Sequence, residues 1–103
     1  MRYLTLELCK RHLYVEYSED DSYIEQCAES AEDAVEAHLQ APLETYEDAE
    51  GKLPAAIIRG MLLLVGSYYA NREGYTSYDA KVHASLEALL NRFVDYGYTS
   101  RQS

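Results

Sequence analysis

The sequence predicts an all-α fold, a small four-helix domain organised around a central apolar helix. Three observations carry that prediction. Apolar residues recur at helical three- and four-residue spacing almost throughout the chain. Residues that start helices stand before those segments: Thr5, Ser18, Ser22 and Pro54. The segment from Pro54 to about Glu73 is apolar around most of its circumference, which a helix tolerates only when it is packed on several sides.

Thr5 caps a first helix of about two turns, with Leu4 as the staple residue and Leu6, Cys9 and Leu13 on one face. Lys10, Arg11 and His12 fall near its C-terminal end, where the helix dipole favours cations. Tyr14 to Ser18 reads as an irregular link. A second helix, about residues 20–40, starts in the acidic cluster Glu19, Asp20 and Asp21. Ser18 with Asp21, or Ser22 with Glu25, has capping-box spacing there. Its apolar stripe is Ile24, Cys27, Ala28, Ala31, Val35 and Leu39, and Glu25, Glu29, Glu32, Asp33 and Glu36 are expected on an acidic outer face.

Residues 41–52 read as a loop, punctuated by Pro42 and Gly51. Pro54 suits the first position of the central helix, about 54–73, which is roughly 30 Å long if fully helical. Gly60 and Gly66 each cost it about 1 kcal/mol of intrinsic helicity relative to Ala, a cost offset where another helix comes close. Gly74 is expected to end it. Asp79 or Ser85 opens the last helix, which carries Val82, Leu86, Leu89, Leu90 and Phe93. Residues 1–94 therefore read as one domain and 95–103 as an exposed tail without apolar periodicity.

The chain has 103 residues, 18 acids and 9 bases, a formal net charge of -9. Phosphate-neutralising DNA or RNA readout needs the opposite sign or a segregated basic face, so sequence-specific nucleic-acid binding is not expected. The imbalance is local. Residues 1–50 carry 14 acids and 3 bases, whereas residues 51–103 carry 4 acids and 6 bases. Eleven of the twelve aromatics are Tyr. Tyr combines an apolar body with a polar tip, which suits either the rim of a small core or a surface buried on assembly. Two cysteines make no disulfide framework, no signal peptide is read, and the longest apolar run, Met61–Val65, is far short of a membrane span. A reduced, cytoplasmic site of folding and no membrane partner are the expectations.

No phosphate-binding glycine loop, nucleophile elbow or HExxH motif is present. Cys9-x-x-His12 has the spacing of a metal-ligand pair, with Cys27 and His38 as distant partners. A zinc site normally brings a second close-spaced pair, and Cys27 falls in an apolar stripe. No catalytic residue, metal or cofactor is assigned.

From the third helix onward the residues resemble a known family. Leu53-Pro54-x-x-Ile57, Leu62-Leu63-Leu64-Val65 and Tyr68-Tyr69-x-Asn71-Arg72-Glu73 are similar to the signature of the small head-to-tail connector proteins of long-tailed bacteriophages. Thr5-Leu6-Glu7 with Lys10 and Leu13 resembles that family's opening helix, and Leu86-x-x-Leu89-Leu90-x-x-Phe93 its last. The resemblance implies an all-α structural protein, not an enzyme. It implies a ring of about a dozen copies on the portal protein, at the virion head–tail junction. Such a ring completes the head, retains packaged DNA, lets it pass, and receives the next tail or head-completion protein.

The residues are compatible with that role. A ring needs two different surfaces on each subunit, and the chain's halves differ in charge. Glu25, Glu29, Glu32, Asp33 and Glu36 on one side, and Arg72, Tyr75, Tyr78, Arg92, Tyr96 and Tyr98 on the other, are the expected interface residues. A competing reading is an acidic DNA mimic that inhibits a host nucleic-acid enzyme, which requires those five acids to form one continuous exposed stripe.

Overall fold

A computed structural model of the chain describes residues 2–71 and 80–94. Four helices follow in order: α1 (Leu6–Leu13), α2 (Asp21–Leu39), α3 (Ala55–Ala70) and α4 (Ala80–Leu90). Two 3-10 turns, Leu43–Tyr46 and Asn91–Phe93, complete the regular structure, and no strand occurs among the described residues.

α3 is the centre because three helices pack on it. It contacts α2, α4 and α1. Ile57, Met61, Leu64 and Val65 are wholly buried, while Ile58, Leu62 and Leu63 are half-buried against the same core. The nearly all-round apolar character of this segment is thus used within the chain. Each fully buried aliphatic side chain contributes roughly 1.5–3 kcal/mol of transfer free energy. Gly60 sets the approach of α4: a methyl group there would lie 3.2 Å from Leu90 Cδ2 and 3.4 Å from Leu86 Cδ1.

The first helix forms as its cap predicts, with Leu8 N–H donating to Thr5 Oγ1 at 3.1 Å. It ends at Tyr14, whose left-handed backbone (φ 59°, ψ 40°) lets its own N–H and that of Val15 donate to the last turn's carbonyls. α2 departs from the expected cap. Neither capping box forms; Asp20 is the N-cap, and its side chain makes no cap hydrogen bond. The carboxylate instead accepts from the phenols of Tyr69 and Tyr17.

α3 also ends earlier than expected. Pro54 is its N-cap, one residue before the helix, and its carbonyl accepts from Ile57 and Ile58. The last helical residue is Ala70. Asn71 donates its side-chain amide to the Ser67 carbonyl at 2.7 Å, the same oxygen that its backbone N–H reaches at 3.2 Å. Gly74, the expected stop, lies outside the described residues, as do Asp79 and the tail 95–103. The loop 41–52 is more ordered than its composition suggests: Leu43 is wholly buried. Asp48 Oδ1 accepts from the N–H groups of Glu50 and Lys52 across a turn that places Gly51 at φ 79°. No helix among the described residues is long and apolar enough to cross a membrane.

Candidate functional site

The five acids expected on the outer face of α2 do not stay together. Glu25, Glu29 and Asp33 are exposed along one line of the helix. Glu32 is buried, with 2 % of its surface accessible. Its carboxylate accepts from the backbone N–H groups of Arg2 (2.9 and 3.1 Å), Tyr3 (2.7 Å) and Leu4 (2.8 Å). It therefore closes the amino-terminal segment onto α2, which satisfies both the buried charge and three backbone donors. The signal was present in the spacing, since Glu32 stands four residues after Ala28 and three before Val35, inside the apolar stripe.

Glu36 is also committed within the chain. It accepts from Leu43 N–H at 2.9 Å and from the Arg2 guanidinium at 3.2 Å. The Leu43 N–H, then Arg2, hold the Glu36 carboxyl below the usual carboxylate range. Arg2 further approaches Asp33 at 3.6 Å and Glu44 at 3.5 Å, making it the hub of an acidic cluster. The five-acid stripe that a DNA mimic needs is reduced to three residues, because two of the five are used to hold the fold.

The tyrosines serve as internal pins. Tyr69 OH donates to Asp20 at 2.6 Å and Tyr17 OH to the same oxygen at 3.2 Å, joining the α1–α2 link to the end of α3. The bond to Asp20, then that to Tyr17, holds the Tyr69 phenol protonated well above the ordinary tyrosine range. Tyr23 OH donates to the Tyr68 carbonyl at 3.0 Å, and its ring lies against that of Tyr69. Tyr3 OH donates to Glu47, and Tyr46 OH to the Phe93 carbonyl. Arg92 is exposed, its guanidinium 4.7 Å from the centre of the Phe93 ring. Arg72, Glu73, Tyr75, Tyr78, Tyr96 and Tyr98 lie outside the described residues.

Cys9 and His12 do not converge on a common point. Cys9 is wholly buried and its thiol is pushed up to about 11 by burial, whereas His12 is exposed at the end of α1. No group of three His, Cys, Asp or Glu side chains among the described residues is arranged to hold a metal ion.

One surface was not read from the sequence. A concavity of about 420 Å³ on α1 is lined by Leu6, Glu7, Lys10, Arg11 and Val15. Beside Val15 stands Tyr14, 93 % exposed. Lys10 lies 2.7 Å from Asp21 Oδ1 in an ionic contact rather than an aligned hydrogen bond, and Arg11 lies 2.9 Å from Glu7. The Lys-Arg-His run before an aromatic residue was the signal; it reads first as dipole compensation.

Most of the described residues of the third-helix motif pack in or against the core of this arrangement. Leu53, Ile57, Leu64 and Val65 are core, and Tyr69 is the pin to Asp20. Residues 3–96 match the family described as phage gp6-like head-tail connector protein. The chain belongs to that family. The match spans all four helices, so it concerns the whole fold rather than one motif. Neither curated proteins nor solved structures yield a match. A head–tail connector is a structural component of the phage, and its general partners are the portal and tail proteins between which it stands. The core is held by the buried Glu32 carboxylate and by partly buried or exposed phenol contacts.

Proposed function

We propose that this connector assembles as a ring of about a dozen copies on the portal, completes the head, lets DNA pass and receives the next tail or head-completion protein. The observation that carries the reading is the family match over residues 3–96. Assembly takes place in the host cytoplasm, and the ring then resides at the virion head–tail junction.

Charge supports the same reading. A chain with a net charge of -9 repels phosphate, so a channel lined by it does not hold a duplex that must slide through. Glu25, Glu29 and Asp33 are exposed on α2 and are proposed for subunit contacts or the lining, whereas Glu32 and Glu36 hold the fold. Arg72, Tyr75, Tyr78, Arg92, Tyr96 and Tyr98 are proposed as further oligomer or partner contacts.

Native mass spectrometry and negative-stain microscopy test the proposal. Rings, alone or on a portal, are the expected result. A chain that stays monomeric at high concentration both with and without a portal overturns it.

A further inference from the structure

We infer that the α1 groove and Tyr14 form a docking surface for the acidic outer line of α2, Glu25, Glu29 and Asp33, from a second copy of the chain. The inference rests on the connector reading and specifies which surfaces meet.

Tyr14 is the first reason. A non-glycine residue in the left-handed region is strained, and Gly would close the same helix end without that strain. The chain instead places a large aromatic side chain there and leaves it 93 % exposed. Its hydroxyl makes no hydrogen bond among the described residues. The left-handed turn closes α1, as Gln40 closes α2, but the exposure of the Tyr14 ring has no return within one copy. An aromatic ring beside a groove is a common form of interface anchor.

Charge identifies the occupant. Lys10, Arg11 and His12 occupy one turn of α1, the densest basic run in a chain of net charge -9. Two such chains repel over most of their surfaces and approach most easily where this run meets exposed acids. Arg11 is held by Glu7 in an exposed, solvent-screened pair that contributes little, so an incoming carboxylate can compete for it. Leu6 and Val15 supply apolar lining within the same concavity.

Dimensions agree as well. Glu25, Glu29 and Asp33 follow one another at four-residue spacing and span roughly 12 Å, about the length of the eight-residue α1. The two patches share no residue. A contact between them is therefore heterologous and can propagate from copy to copy until it closes.

The test uses the full chain in four forms: wild type, Tyr14→Gly, Arg11→Glu, and the exchanged pair Arg11→Glu with Glu25→Arg. Self-association is followed by sedimentation velocity over a concentration series, and helicity by circular dichroism. Tyr14→Gly removes the ring and relieves the backbone, so its helicity and melting temperature should equal or exceed those of the wild type. Association should weaken at least about tenfold in Tyr14→Gly and in Arg11→Glu, and recover in the exchanged pair. Wild-type assembly matched by both single variants overturns this docking surface and leaves the ring proposal standing. Weakening without recovery in the exchanged pair overturns α2 as the occupant. A wild type that remains monomeric throughout overturns the self-association on which both readings depend.

Discussion

The Glu32 carboxylate accepts the backbone N–H of Leu4 at 2.8 Å inside the core, across 28 residues of sequence. The same group receives Arg2 and Tyr3, so one side chain fixes the start of the chain. Replacing it with Ala leaves three N–H groups without their acceptor and frees the amino-terminal segment that carries Leu4, itself 3 % exposed. Glu32→Ala is expected to lower stability by about 2–4 kcal/mol in urea denaturation, and Glu32→Gln by less, because one acceptor oxygen remains. An Ala variant as stable as the wild type would show that the amino-terminal segment does not depend on this carboxylate.

Glu36 gives the fold an acid-sensitive contact. The Leu43 N–H and the Arg2 guanidinium lower its folded-state proton affinity below that of the unfolded chain. The unfolded state therefore binds its proton first as pH falls. The contribution is complete above the unfolded carboxylate range and disappears as pH falls through the folded value. Between about pH 6 and pH 3, the wild type should lose more stability than Glu36→Gln, which has no such proton to bind. Parallel stability curves for the two proteins would contradict the assignment.

Gly60 controls how closely α4 lies on α3. A methyl group at 3.2 Å from Leu90 Cδ2 requires that flexible side chain to move by a few tenths of an ångström. Ala also gains about 1 kcal/mol of helix propensity. Gly60→Ala is therefore expected to fall within about 1 kcal/mol of the wild type. Gly60→Val adds bulk that Leu86 and Leu90 cannot both avoid, and should destabilise by about 1–3 kcal/mol. Thermal melts of the two variants separate these cases, and a Val variant as stable as the Ala variant would mean that the α3–α4 contact yields easily.

What the sequence determined by itself is the local pattern. Thr5, the apolar stripe of α2 and the all-round apolar α3 follow from helical spacing and capping, which operate over a few residues. They suffice for the fold class and for the family. The uneven charge of the two halves is equally legible, since it needs only counting.

Tertiary structure decided which of those residues remain available to a partner. Glu32 and Glu36 resemble Glu25 and Glu29 in the sequence, yet two of them bind Leu4 and Leu43 while the others stay exposed. Tyr69 and Tyr3 became internal pins, and Tyr14 became the most exposed large apolar side chain among the described residues. The physical reason is range. Periodicity reports which way a residue faces on its own helix, but the Leu4 amide reaches Glu32 and the Tyr69 phenol reaches Asp20 only after distant segments have packed together.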